Sequence, residues 1–302
     1  MTDRLFDEST LQKLERLALV AKKVRTGAIK GERRSLRRGT SLEFADYRDY
    51  TRGDDLRRVD WNLYARLERP FLKLFEEEED LAVHVLVDGS DSMDWPKDGE
   101  DVDESHHKFR YALRLAGALA HIGLVTGDQV AVTVLRGGAI AERWGPARGR
   151  GQTLGLLVWL EEQASGGETD LDASLTDYAR RGGRPGLTLV ISDMLSPSGY
   201  RDGLSALQGR GNEVGLLHVL APEEIEPPLA GDLRLIDVET GDPQDVTVDG
   251  GMRDLFRRRL LAWRDDIAAT CAGRDAHYLA VETSTPWEQV ILYELRRAGM
   301  VK

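Results

Sequence analysis

Three oxygen-bearing side chains follow one strongly apolar segment at a spacing that suits metal binding. Asp88, Ser90 and Ser92 lie two residues apart, directly after the apolar residues 81–87. In an extended or gently turning loop, this spacing can point all three side chains the same way. One carboxylate and two hydroxyls are hard oxygen ligands, which suit Mg²⁺, with Mn²⁺ or Ca²⁺ as alternatives. The pattern predicts a site for a divalent cation.

Two later segments could complete this site. Residues 166–170 form a glycine-bearing loop before a helix and offer the hydroxyl of Thr169, and the apolar residues 189–192 end in the carboxylate of Asp193. Open parallel sheets bind ligands at the carboxyl ends of their strands, where these segments would emerge if the strand order permits. Two carboxylates would neutralise a dication. The predicted ligands are therefore Asp88, Ser90, Ser92, Thr169 and Asp193.

Each of these residues also has a purely structural interpretation. An aspartate at the end of a strand is often a helix cap or a turn residue, and Thr169 or Asp170 could cap the helix that follows. The spacing of Asp88, Ser90 and Ser92 also arises by chance. The order of strand, triad, glycine-bearing loop and strand-terminal aspartate within one α/β pattern favours the metal site.

The elements that must position these side chains follow from residue 81 onward. Apolar strands and amphipathic helices alternate, which predicts an α/β fold with a doubly wound, mostly parallel sheet. Residues 233–248 are typical of an inserted hairpin. The predicted strands are 81–87, 129–135, 187–192, 213–220 and 276–281. The predicted helices are approximately 105–125, 153–163, 171–181, 200–209, 252–272 and 286–299.

The first 80 residues have a different character and are predicted to form a smaller N-terminal region before a domain of residues 81–302. Apolar residues at three- and four-residue spacing predict a helix over 11–24, with Gly27 as its stop. A basic stretch from Lys30 to Arg38, a charged and aromatic segment over 39–66, and a short strand over 71–75 follow.

Composition and charge exclude several classes of protein. Of 302 residues, 41% are hydrophobic, which is enough for a core and argues against wholesale disorder. No stretch is apolar over the roughly 18 residues that a membrane span needs, and the acidic N-terminus is unlike a secretory signal. The single cysteine, Cys271, excludes an internal disulfide, and the cytoplasm is the expected compartment.

The net charge of −11 is unevenly distributed. Residues 1–75 contain 18 Lys and Arg against 12 Asp and Glu, a net of +6, so the remaining residues carry −17. The acidic total argues against nucleic-acid binding as the main function. The basic stretch from Lys30 to Arg38 keeps that alternative open, although a solvated face or a match to the acidic half explains it more simply.

From the metal-site pattern onward, the sequence resembles the von Willebrand factor type A fold with its metal-ion-dependent adhesion site (MIDAS). In that family, the residues that match Asp88, Ser90, Ser92, Thr169 and Asp193 surround the cation, and an acidic side chain of a partner supplies a further ligand. The resemblance covers about residues 81–302, and it implies recognition and not turnover.

The N-terminal region resembles the signature of the DUF58 family, whose members carry this segment just before a type A domain. Such proteins are often encoded beside MoxR-type AAA+ ATPases and are thought to act with them. Many members begin with membrane helices, and this sequence resembles the shorter members. The matching positions are Gly39, residues 43–48, Tyr50, residues 53–57, residues 59–61, Ala65 and Arg66.

The function implied by the residues and the resemblance together is that of a non-enzymatic, Mg²⁺-dependent protein-interaction module that works with a MoxR-type ATPase and binds an acidic side chain of a client protein. A Mg²⁺-dependent phosphoryl-transfer enzyme is the alternative, because a strand-terminal aspartate such as Asp88 can be a nucleophile. The usual Asp-x-Asp arrangement is absent, since Ser90 stands at its second position. No Walker loop or Gly-x-Ser-x-Gly motif occurs in the sequence.

Overall fold

The protein, for which we use a computed structural model, divides into two units. One comprises Met1–Ala28 and Leu81–Lys302, and the other comprises Ile29–Asp80. The division into residues 1–80 and 81–302 stays a prediction, and residues 1–28 group with the larger unit of the structure. The structure describes residues 5–21, 43–51, 54, 56, 59–76, 81–96, 106–168, 170–181, 183–236 and 242–302, with the backbone alone for 43–48 and 73–76.

A six-stranded sheet forms the centre of the larger unit. Five strands are parallel and the edge strand β5 is antiparallel, in the order β10-β7-β6-β3-β4-β5. This confirms the predicted mostly parallel α/β sheet. The strands are β3 (Ala82–Asp88), β4 (Gln129–Arg136), β5 (Ala139–Ala147), β6 (Leu187–Ser192), β7 (Glu213–Leu220) and β10 (His277–Glu282).

Helices cover both faces of this sheet. The helices of the larger unit are α1 (Glu8–Leu14), α3 (Lys108–Val125), α4 (Thr153–Glu161), α5 (Leu171–Arg181), α6 (Arg201–Gly209), α7 (Pro222–Ile225), α8 (Gly250–Gly273), α9 (Trp287–Gln289) and α10 (Leu295–Arg297). A π-helical turn at Val290–Glu294 joins the last two, so the predicted final helix forms with an irregular centre.

Side chains that alternate along β3 divide the interior into two cores. Val83, Val85 and Val87 pack in one core with α3, α4 and the C-terminal helical segment. Leu86 packs in the other with α5, α6 and the end of α8. A strand covered on both faces must be largely apolar, which is why residues 81–87 form an apolar run that only His84 interrupts.

The N-terminal helix is shorter than its predicted span of 11–24. Asp7 accepts a hydrogen bond from the backbone of Thr10, and the helix ends at Leu14. The chain then extends, and Leu19 forms an antiparallel bridge with Val301. Leu17 and Leu19 are buried at a spacing of two residues, so these leucines fit an extended segment as well as a helix.

Two further structures lie outside the main sheet. The strands β8 (Gly231–Ile236) and β9 (Pro243–Val248) pair as an antiparallel hairpin in the region where one was expected. In the smaller unit, β1 (Glu43–Asp49) pairs antiparallel with β2 (Phe71–Glu76), and a helix not predicted from the sequence, α2 (Trp61–Leu67), begins at the Asp60 cap.

None of the helices in the described ranges is long and apolar enough to cross a membrane.

Candidate metal site

Four of the five predicted ligands, Asp88, Ser90, Ser92 and Asp193, lie where the strand order reverses. From β3 the chain proceeds to β4 on one side, and later returns to β6 on the other side of β3. The carboxyl ends of β3 and β6 therefore flank the crevice in which open α/β sheets bind ligands. Asp88 is the last residue of β3, and Asp193 directly follows β6.

The Asp88 carboxylate is buried and is held by two donors. Its Oδ1 accepts a hydrogen bond from the Ser90 backbone N–H at 3.1 Å, and its Oδ2 accepts one from the Ser192 hydroxyl at 2.7 Å. Burial, together with the nearby charge of Asp193, raises the pKa of Asp88 to about 6. A cation bound beside this carboxylate would stabilise its charged form and so lower its pKa.

The two serines of the motif lie side by side. The hydroxyl oxygens of Ser90 and Ser92 are 3.0 Å apart, and both residues are buried. Adjacent ligands of an octahedral Mg²⁺, at bond lengths of about 2.1 Å, are about 3 Å apart. The spacing therefore fits two neighbouring ligand positions as well as a hydrogen bond. Asp91–Met93 form a 3₁₀ turn that ends this loop.

The glycine-bearing loop is hydrogen-bonded to the loop of the motif. Gly166 N–H donates to the Gly89 carbonyl at 2.8 Å, and Asp91 N–H donates to the Gly167 carbonyl at 2.9 Å. Gly167 has φ +91°, a conformation that favours glycine, so the glycines permit this close approach. Thr169 itself lies outside the described residues, and its assignment as a ligand stays a prediction.

Asp193 is fully buried and forms an ion pair that the sequence did not predict. Its Oδ2 accepts a hydrogen bond from the Lys108 ammonium at 2.7 Å, and its Oδ1 accepts one from the Leu195 backbone at 3.0 Å. The same ammonium donates to Glu224 Oε1 at 2.6 Å. Although burial alone would lower the pKa of Lys108, the carboxylates of Asp193 and Glu224 raise it, so the lysine remains charged.

Sequence reasoning missed Ser192, Lys108 and Glu224. Ser192 could have been suspected from its place beside Asp193 at the end of a buried strand. Lys108 and Glu224 gave no signal, because a lysine at the start of a helix and a glutamate in a polar segment are usually exposed. Their roles depend on the sheet order, which brings the start of α3 to the ends of β6 and β7.

Other candidate residues have structural roles or lie outside the described ranges. Asp170 accepts a hydrogen bond from the backbone of Ala173 at 2.9 Å, as a helix cap does. Cys271 is buried in the second core. The basic stretch from Lys30 to Arg38 and much of the charged segment over 39–66 lie outside the described residues.

The donor set consists only of oxygen atoms and suits a hard cation. Among the residues that the structure describes, no group of three or more His, Cys, Asp or Glu side chains could hold a metal ion, and a cation bound at this site would need the hydroxyls as ligands. The Lys108–Glu224 pair is neutral overall, which leaves Asp88 and Asp193 with a charge of −2 to balance one dication. The residues present therefore fit Mg²⁺ or Mn²⁺.

Comparison with known families identifies the family of this chain. Residues 46–265 match the model described as "Protein of unknown function DUF58". The chain belongs to the DUF58 family. Uncharacterized proteins of Mycobacterium tuberculosis and Mycobacterium bovis are each 30% identical to it over 278 residues, covering 91% of this chain and 85% of each relative. The description of the DUF58 family assigns no activity to its members.

Solved structures provide a more distant comparison. The crystal structure of the conserved hypothetical protein BatB from Bacteroides thetaiotaomicron is similar over 72% of this DUF58 chain and 98% of that chain, with 18% sequence identity and a TM-score of 0.43.

Proposed function

We propose that this DUF58 protein is a non-enzymatic, metal-dependent protein-interaction module. The observation that carries the proposal is the convergence of Asp88, Ser90, Ser92 and Asp193 at the reversal point of the sheet. A hard dication bound there would use the hydroxyls of Ser90 and Ser92 and the carboxylates of Asp88 and Asp193 as ligands, and Thr169 is the fifth ligand proposed from the sequence. Its remaining coordination sites would accept an acidic side chain of a partner protein, and such a contact is charge-assisted and strictly dependent on the ion.

The arrangement favours recognition over chemical turnover. Both oxygens of Asp88 are engaged by internal donors, Ser90 and Ser192, so the carboxylate is fixed in place as a ligand. Asp193 is likewise held on both of its oxygens, by Lys108 and Leu195. A general base or a nucleophile must be free to approach a substrate atom, and neither carboxylate has that freedom.

The partners and compartment belong to the same proposal. The resemblance to type A domains supports an acidic ligand from a client, and the DUF58 signature supports a MoxR-type AAA+ ATPase as the partner in assembling or remodelling a complex. A cytoplasmic location is proposed because the only cysteine, Cys271, is buried in the core and cannot form an internal disulfide.

Two measurements test this proposal, first of metal binding and then of partner binding. Isothermal titration with Mg²⁺ should show one site in the wild-type protein, and Asp88→Asn should abolish it. Asp202→Ala, which removes an exposed carboxylate from α6, is the matched control and should bind Mg²⁺ normally.

Binding of the MoxR-type ATPase encoded nearest to this protein should then be measured with Mg²⁺ and with excess chelator. Loss of the complex with chelator and with Asp88→Asn supports the proposal. A complex of equal affinity in all conditions contradicts it, and Mg²⁺-dependent release of phosphate from p-nitrophenyl phosphate would favour the phosphoryl-transfer alternative.

A further inference from the structure

Lys108 is the most unusual residue near the site. Its side chain is fully buried, although lysine is almost never fully buried unless it is paired. It is also the first residue of α3, where the helix dipole disfavours a positive charge. A buried ammonium at the start of a helix lowers stability unless its partners compensate, and here Asp193 and Glu224 do so.

The contacts of Lys108 show what it controls. It binds Asp193 Oδ2 at 2.7 Å, while the Leu195 backbone binds the other oxygen at 3.0 Å. With one donor on each oxygen, Asp193 is held in a fixed orientation, which opposes the rotation that would bring both oxygens to a single cation. Glu224 is held similarly, because Lys108 binds Oε1 at 2.6 Å and the Ala221 backbone N–H binds Oε2 at 2.8 Å.

This constraint has a direct consequence for the choice of cation. Ca²⁺ takes six to eight oxygen ligands in flexible geometry and commonly uses bidentate carboxylates. Mg²⁺ requires six ligands in a rigid octahedron and retains several waters. A site in which Asp193 is restrained from bidentate binding therefore disfavours Ca²⁺ more than it disfavours Mg²⁺.

We propose that Lys108 is the selectivity residue of the metal site, because its ammonium restrains Asp193 and so excludes Ca²⁺ in favour of Mg²⁺ or Mn²⁺. Glu224 acts with it, because it neutralises the ammonium and holds it against Asp193. This inference rests on the proposed function, since it requires that the site binds a dication. It adds two residues, Lys108 and Glu224, that lie outside the predicted ligand set.

The test compares the dissociation constants of Mg²⁺ and Ca²⁺ by isothermal titration of the full chain. The central variant is K108M/E224Q, which removes one positive and one negative charge and so leaves the net charge of the site unchanged. We expect it to bind Ca²⁺ about tenfold more tightly relative to Mg²⁺ than the wild type does, because Asp193 is released. K108M alone should shift the ratio in the same direction, with tighter binding of both ions because a nearby positive charge is lost.

A second measurement keeps the test decisive if K108M folds poorly. The rise in thermal midpoint on addition of Ca²⁺, relative to the rise on addition of Mg²⁺, should be larger for K108M/E224Q than for the wild type. The wild type and Asp88→Asn are titrated in parallel, with Asp202→Ala as the control.

The outcomes separate the two proposals. If Asp88→Asn abolishes Mg²⁺ binding but the Mg²⁺-to-Ca²⁺ ratio of K108M/E224Q equals that of the wild type, Lys108 has only a structural role and the selectivity proposal is wrong. If the wild type binds neither ion, or if Asp88→Asn binds Mg²⁺ as the wild type does, then the metal-site proposal itself fails and the selectivity proposal fails with it.

Discussion

Replacing Ser192 by alanine should destabilise the protein strongly, because this small side chain supports the centre of the site. Its hydroxyl donates to Asp88 Oδ2 at 2.7 Å and accepts a hydrogen bond from the Met194 backbone N–H at 2.9 Å. Ser192 is fully buried, and Met194 is held at φ 59°, a conformation rare for a residue other than glycine. The mutation therefore removes both contacts in a region that water does not reach.

The magnitude follows from these two contacts. A hydrogen bond to a charged group contributes about 1.5–3 kcal/mol, and a buried N–H left without a partner costs about 1–3 kcal/mol. Because the two effects share one hydroxyl and are not fully additive, we expect Ser192→Ala to lower the free energy of unfolding by about 2–4 kcal/mol.

The matched control is Thr188→Val on the same strand, β6. The Thr188 hydroxyl is buried and has no hydrogen-bond partner among the described residues, so its removal should be neutral or stabilising. Urea unfolding, followed by tryptophan fluorescence with chelator present, measures both variants without a contribution from bound metal. If Ser192→Ala loses less than about 1 kcal/mol, or no more than Thr188→Val loses, then Ser192 does not hold Asp88 in the way described.

Two further predictions concern the cores. Burial lowers the pKa of His84 below 6.5, and the ring bonds Tyr178 and the Arg184 carbonyl, so the fold favours neutral imidazole. The contribution of His84 to stability should therefore be complete above pH 6.5 and should be lost as the pH falls below it. His84→Gln should remove this contribution, so its urea midpoints should fall less between pH 7 and pH 5 than those of the wild type. An unchanged difference between the two pH values would contradict the assignment. Phe6 packs edge-on against Trp287 with ring centroids 4.9 Å apart, so Phe6→Ala should lower the free energy of unfolding by about 3–5 kcal/mol in the same urea assay. Leu154→Ala, at an exposed position, is the control and should change the free energy of unfolding by less than about 0.5 kcal/mol. Equal effects of the two mutations would show that Phe6 is not part of the core.

The main sheet could be predicted because its strands are buried on both faces. Short apolar runs are typical of parallel strands that are covered on both faces. Such runs end at Val87, Leu135 and Ser192, and all three form strands. The edge strand β5 was missed because one side of it is open to solvent. Its sequence is mixed in polarity and contains Gly145-Pro146, which is typical of a turn.

The site could be predicted only in part. The spacing of Asp88, Ser90 and Ser92 is a local property of the sequence, and so it can be identified without a structure. The proximity of Asp193 depended on strand order, which the residues alone left open. The Lys108–Glu224 pair could not be anticipated, because a buried ion pair depends on tertiary packing. The local sequence around Lys108 and Glu224 is like that around exposed charged residues.

The bridge between Leu19 and Val301 joins positions about 280 residues apart, and it bears on how the chain folds during synthesis. At roughly 5–20 residues per second, the ribosome adds the partner of Leu19 about 15–55 s after Leu19 itself. Throughout that interval the leucines at 14, 17 and 19 lack the C-terminal part of their burial site. The nascent chain therefore carries an exposed apolar segment for most of its translation. Such a segment is prone to aggregation until the C-terminus is made, and it is the kind of surface that chaperones bind.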